Sequence, residues 1–175
     1  MKYTRFQDIP QMTRDGNWEC DFGLDEVWNF VKKQQEDRLN LNLDPDFQRA
    51  HVWDEAKQIA WIEFILRGGK TGRVLYFNHP GWMRSFKGEM VIVDGKQRLE
   101  AIRRFCQNEI PVFGSYLKEY TDPGRLFPQN TIKINVNTLQ TRREVLQWYI
   151  DLNAGGVAHT SEEIEKVRKL LAEEK

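Results

Sequence analysis

The sequence predicts an α+β chain, with a small mixed β-sheet, flanking helices and a helical C-terminal part. Three observations predict it. Apolar residues recur at helical spacing in separate windows, as at Leu24, Val27, Trp28 and Val31. Short β-branched or aromatic runs, such as Val74–Phe77 and Val91–Val93, lie between those windows. The two patterns interleave along the chain, which suits helices laid against a mixed sheet and leaves α/β as the neighbouring class.

Taken in order, residues 1–23 read as irregular, with Pro10, Gly16 and Gly23 as breakers. A first helix runs from Leu24 to about Gln35, followed by a polar connection from Asp37 to Asp46. Phe47 to Trp53 reads as extended, because Phe47, Ala50 and Val52 sit among polar residues after Pro45. Asp54 is an N-cap for a second helix with Ala56, Ile59, Ile62 and Leu66 inward, closed by Gly68-Gly69. Val74–Phe77 is a strand, His79-Pro80-Gly81 a turn, and Trp82–Gly88 a hairpin connection to a strand at Glu89–Val93. A third helix spans Lys96 to Cys106.

Ile110–Phe113 and Thr131–Asn137 are further strand candidates, separated by a loop with Pro123, Gly124 and Pro128. Thr141–Asn153 is helical, with Val145, Tyr149 and Leu152 on one face. Asn153-Ala154-Gly155-Gly156 reads first as a helix stop, or else as a Gly-rich edge that a ligand approaches closely. Thr160 and Glu163 form a capping box for the last helix, whose inner face is Ile164, Val167 and Leu171. Its tail, Glu173-Glu174-Lys175, is expected to fray. No repeat, low-complexity tract or linker divides the chain, so residues 1–175 are expected to form one domain, with 141–175 as its C-terminal helical part.

Composition narrows the function classes. Lys+Arg and Asp+Glu both number 26, so the formal net charge is zero. A protein coating DNA without specificity would be basic, so any cationic surface must be local. The two cysteines, Cys20 and Cys106, form no metal-ligand cluster, which argues against structural zinc and for free thiols in a reducing compartment. Cys106 belongs with the core face of Leu99, Ile102 and Phe105. Met1–Asp8 has no apolar core of a signal peptide, and no run reaches membrane-spanning length. A cytoplasmic location away from membranes is expected. Trp53, Trp61, Trp82 and Trp148 are expected in or beside the core, although Trp82, near Arg84 and Lys87, could instead stack a base. Arg103-Arg104 and Arg142-Arg143 read as solvated helix faces.

The most informative stretch is Val91-Ile92-Val93-Asp94-Gly95-Lys96-Gln97-Arg98-Leu99. A strand feeds a helix through a very short turn. Lys96, Gln97 and Arg98 then stand beside backbone N–H groups that have no partner within the helix. The helix dipole and two cations make this an anion site, and phosphate is the cellular anion that fits it. Gly95 serves a positive φ, or both that and close approach of a phosphate. Asp94 is either a helix cap or a Mg²⁺ ligand that also assists an attacking water. Arg98 either pairs with an acidic neighbour or grips phosphate. Lys96 is either a further cation of the site or simply solvated. His51 reads as structural rather than as a general base.

Four segments in order carry a family resemblance. They are Asp44-Pro45-Asp46-Phe47-Gln48-Arg49 with Val52-Trp53, the helix Gln58–Leu66 ending in Arg67-Gly68-Gly69, Asp94–Leu99, and Asn153-Ala154-Gly155-Gly156 with Thr160 and Glu163. Over residues 44 to 165 the chain resembles the N-terminal domain of the GmrSD restriction-endonuclease family, within the ParB/sulfiredoxin-like fold. That family's Asp-Gly-Gln-Gln-Arg motif falls on Asp94–Arg98, with Lys96 in place of the first Gln. The resemblance implies nucleoside triphosphate binding and hydrolysis at this turn, with Gly95 and Arg98 holding phosphate as a Gly-x-x-Arg segment does. The family's Tyr-Gln-Arg element falls on Phe47-Gln48-Arg49, which makes Gln48 and Arg49 pocket candidates. His51 stands where the family often has an aromatic residue. The family's long members also carry a His/Asn nuclease domain; with Lys175 as its last residue and only His51, His79 and His159, this chain is not expected to hold one.

The leading expectation is therefore a Mg²⁺-dependent nucleotide-binding protein, with hydrolysis expected, in a restriction or DNA-processing setting. Asp94 and Arg98 would be catalytic, and Asp94 the metal ligand. Gln48, Arg49, Gly95, Lys96, Gln97, Arg98, Asn153 and Gly155 would bind the nucleotide. One alternative is a ParB-like module that binds or cleaves DNA; zero net charge and the lack of a helix-turn-helix weigh against it. Another is a non-enzymatic subunit or inhibitor acting on a nuclease partner. Sulfiredoxin-type chemistry would need a nucleophilic Cys between Gly95 and Arg98, where Lys96 and Gln97 stand instead. The base, the pathway and the number of subunits stay open at this level.

Overall fold

The structure is a computed structural model that describes residues 2–5, 9–10, 18–36, 39–48, 52–122, 130–154 and 161–174. The expectations placed on Gly16, Arg49, Ala50, His51, Pro123, Gly124, Pro128, Gly155, Gly156, His159 and the Thr160 cap lie outside the described residues. In chain order the elements are β1 (Trp18–Phe22), α1 (Leu24–Glu36), α2 (Glu55–Leu66), β2 (Val74–Asn78), β3 (Val91–Asp94), α3 (Lys96–Cys106), β4 (Ile132–Asn137), α4 (Arg142–Ala154) and α5 (Ser161–Glu173). A 3₁₀ turn at Leu117–Glu119 lies between α3 and β4. The fold class is α+β, with a four-stranded mixed sheet in the order β1-β4-β2-β3. β4 is antiparallel to β1 and parallel to β2, and β2 is antiparallel to β3.

Alternation along the strands sorts two cores, because successive side chains point to opposite faces. Ile132, Ile134 and Val136 of β4 join Leu75, Phe77 and Ile92 in one core with α1, α2 and α3. Val93 joins Leu146, Trp148, Tyr149 and Val167 of α4 and α5 in the other. β3 thus feeds both cores with consecutive residues, Ile92 and Val93, each fully buried. The β2–β3 register shifts between Tyr76 and Phe77, and Asp94 stands opposite Tyr76.

The outer side of β3 is covered by residues 39–48. Met90 N–H donates to Leu39 C=O (3.0 Å), Asn42 N–H to Met90 C=O (2.7 Å), and Ile92 N–H to Asn42 C=O (3.1 Å). The Gln48 side-chain amide continues the series, donating to Val93 C=O at 2.6 Å. Backbone groups that would stand open at a sheet edge are satisfied in this way.

Several expectations need correction. Residues 18–22 are a strand rather than irregular chain, with Trp18, Cys20 and Phe22 alternating against acidic residues. Phe47 and Gln48 are not extended: Gln48 N–H closes a turn on Pro45 C=O (2.9 Å), and Phe47 is buried against Tyr149. Ile110–Phe113 is no strand either. Val112 and Ser115 exchange two backbone hydrogen bonds around Phe113 and Gly114, both at positive φ, so the chain reverses at once. In α2 the buried residues are Gln58, Ile62 and Ile65, whereas Ala56 is exposed and Ile59 and Leu66 are half-buried. Glu174 is fastened rather than frayed, accepting from Arg142 Nε at 2.8 Å.

The arginine pairs are not merely solvated faces. Arg104 donates to Gln58 and Glu55 of α2, both at 2.7 Å, and Arg142 reaches Asp46 at 2.8 Å. Both cysteines are free thiols. Burial pushes the Cys106 thiol up to about 12, and the side chain packs partly buried against the core. Among the described residues, no helix is long and apolar enough to cross a membrane.

Candidate functional site

The β3–α3 turn opens into a cleft of about 840 Å³. Asp94, Gly95, Lys96, Gln97 and Arg98 form one side of it, with Gln48 beside them and Leu152 and Asn153 at the end of α4. The opposite side is Trp53, Lys57, Ala60, Trp61 and Phe64 of α2 and its approach, with Thr71 and Gly72. Seven of the nine site residues expected from sequence, Asp94 included, therefore share one cleft; Arg49 and Gly155 lie outside the described residues.

The turn is built around Gly95. Its φ of 104° is left-handed, and a Cβ there would lie 2.5 Å from Leu75 Cδ2, whose side chain is fully buried. Both facts demand glycine. No side-chain cap closes the start of α3 at Gly95, and the positive end of the helix dipole faces the cleft. Arg98, one helical turn on, folds back on Asp94 with Nη2 to Oδ2 at 2.5 Å. The pair is partly accessible, at 16% and 34% side-chain exposure, so an incoming anion can reach the guanidinium. Asp94 is thus Arg98's partner rather than a helix cap.

The other expected contacts are more structural than the sequence implies. Gln97 is buried, and its side-chain oxygen accepts from the N–H groups of Val52 and Trp53, both at 3.0 Å. Gln48 clamps the Ile92 and Val93 carbonyls. Asn153 donates to Tyr149 C=O at 2.7 Å, one turn back along α4. Lys96 pairs with Asp44, holding that carboxyl below the usual carboxylate range. Among the described residues the Asp44–Gln48 segment is thus tied to the turn at two points.

The α2 side of the cleft escaped the sequence reading. Trp53 and Trp61 are half-buried with ring centroids 6.2 Å apart, and the Lys57 ammonium stands 5.2 Å from the Trp53 ring centre. Phe64 is 44% exposed. Helical spacing reads such residues as core, and only the position of α3 shows that they face a cavity. Trp82, the base-stacking candidate, is 7% exposed and packs edge-on against Trp18, Phe30 and Phe86, so it is a core residue. Tyr76, paired with Asp94 across the sheet, was also missed; burial and then the Asp94 charge raise its phenol above the ordinary value.

Residues 27–129 match the family model of the GmrSD restriction endonuclease, N-terminal domain. The match spans more than half of the chain. The chain belongs to this family. Its setting is accordingly restriction and defence. No match was found among curated proteins or among solved structures. Within the GmrSD N-terminal match lie the β3–α3 turn and the aromatic side of the cleft, while Leu152 and Asn153 come from beyond it.

Proposed function

We propose that this cleft binds a nucleoside triphosphate, with the phosphates on the Asp94–Arg98 turn, and that it hydrolyses the bound nucleotide. The observation that carries the reading is the convergence of the α3 N-terminus, Arg98, Lys57 and Lys96 on one cleft of nucleotide size. Arg98 would exchange part of its bond to Asp94 for phosphate oxygens, and would stabilise charge that develops on them during transfer to water. The ParB/sulfiredoxin-like fold, with its phosphate at a Gly-x-x-Arg turn, is compatible with this arrangement.

Among the described residues that line the cleft, Asp94 is the one carboxylate. Among the described residues, no group of three His, Cys, Asp or Glu could hold a metal ion. The donor set therefore suits Mg²⁺ carried in on the phosphates, with Asp94 as one protein ligand, rather than a resident metal. Such an ion supplies charge neutralisation on the phosphate chain. In the family's restriction setting, nucleotide occupancy would then report to a nuclease subunit or domain.

Calorimetric titration of ATP, GTP, CTP and UTP with Mg²⁺, with phosphate release read on the same samples, tests the proposal. Arg98→Ala should weaken binding by about tenfold or more, the range for a lost hydrogen bond to a charged group. If the wild-type protein binds none of the four, the turn is purely structural and the reading fails.

A further inference from the structure

The aromatic side of the cleft has a use that the phosphate turn does not explain. We infer that Trp53 and Trp61 form a seat for the base of the nucleotide, so that one cleft holds phosphate on α3 and base on α2. This inference rests on the nucleotide reading above and adds the part of the ligand that the turn leaves unheld.

Three features support the seat. The backbone of Trp53 is fixed before any ligand arrives. Its N–H is held by Gln97, its C=O accepts from Gln58 Nε2 at 3.1 Å, and Asp54 beside it caps α2. Gln58 is itself held by Arg104 of α3. Both elements of the cleft are thereby cross-linked, and the rings stand at a set distance from the turn. Rigid aromatic surface of this kind binds at low entropic cost.

Secondly, Gly72 separates the two halves of the cleft with no side chain. A Cβ at this residue, whose φ is 69°, would have Trp61 Nε1 at 3.4 Å and Arg98 Nη1 at 3.8 Å. The indole edge and the guanidinium thus flank one point, and an aromatic group on Trp61 would lie beside a phosphate on Arg98. Thirdly, Lys57 next to Trp53 adds positive charge to the aromatic side, matching an aromatic ligand that carries an anionic chain. Stacking tolerates every base, since each has a π-face.

The test compares nucleoside triphosphates with inorganic tripolyphosphate, both with Mg²⁺, on wild type, Trp61→Ala, Trp61→Phe and Trp53→Phe, with folding checked by thermal melting. Trp61→Ala should weaken nucleotide binding by about 5- to 150-fold and leave tripolyphosphate within about twofold. Trp61→Phe should recover most of the loss, and Trp53→Phe, which keeps an aromatic face of smaller area, should weaken nucleotide binding by less than Trp61→Ala and leave tripolyphosphate within about twofold. Nucleotide binding undiminished in Trp61→Ala would overturn the base seat while leaving the phosphate turn standing. Equal losses for both ligands would overturn it too, as a packing effect. A wild type that binds neither ligand would remove the nucleotide reading itself. A single-stranded oligonucleotide that alone binds, in a Trp61-dependent way, would replace the free nucleotide as occupant.

Discussion

At the scale of single residues, Gly95 is the position where conformation and space agree most sharply. Gly95→Ala should destabilise the protein by about 2–4 kcal/mol, combining a left-handed backbone with an overpacked Leu75. A urea unfolding curve measures this, and a loss below about 1 kcal/mol would mean that Leu75 yields easily. Asp54→Ala should cost about 1 kcal/mol, because Asp54 accepts the Lys57 N–H at 2.8 Å as an N-cap. Both residues were legible in the sequence, since turn glycines and N-caps act over a few positions. Gln48 and Gln97 were only half legible. Their place in the cleft followed from the motif, but their bonds reach 45 and 44 residues along the chain, and no local pattern carries that information.

At the scale of elements, local periodicity located the five α-helices of the described residues, and it failed where tertiary contacts set the conformation. The 110–113 run looks like a strand because Ile110 and Val112 are buried. Its outward groups are instead taken by Tyr120, whose hydroxyl donates to Val112 C=O at 2.6 Å, and by Glu63, which accepts from Phe113 N–H at 2.8 Å. In α2 the inward set shifted because Gln58, a polar residue, is buried as a bridge between Trp53 and Arg104. Gln97→Ala tests how α2 is tied to α3. It strips the acceptor from two backbone N–H groups at once, and should cost about 1–3 kcal/mol. Hydrogen exchange should show Val52 and Trp53 amides exchanging faster in the variant, while α4 and α5 stay protected. Unchanged exchange at Trp53 would show that another group holds it.

At the scale of the whole molecule, acid sensitivity should come in two windows. His79 is fully buried, and its Nδ1 accepts the Gly81 N–H at 3.1 Å. Burial pushes its imidazole below the ordinary histidine value. The unfolded chain then takes up the proton first. Stability is full above about pH 6.5 and falls as pH drops from there through the folded-state value. Glu19, Asp44 and Glu109, all held below the usual carboxylate range by Asn135 and by cationic partners, give way only in stronger acid. Urea midpoints at about pH 8 and pH 5.5 should therefore differ in the wild type and converge in His79→Gln. An equal drop in the variant would assign the upper window elsewhere.

The sheet order also sets a timetable for the newborn chain. β2, β3 and α3 are consecutive, so the β3–α3 turn and its helix can assemble as soon as residue 106 is available. β4 sits between β1 and β2, and of the four described strands it is the last to leave the ribosome. Val74 must wait for Lys133, its parallel partner, before the centre of the sheet closes. Non-local parallel pairing of this kind is slow. For that interval β1 and α1 have no strand to complete their core, and apolar residues such as Ile132 and Ile134 emerge into a half-built sheet. A nascent chain held short of β4 is thus the form in which this protein most needs a chaperone.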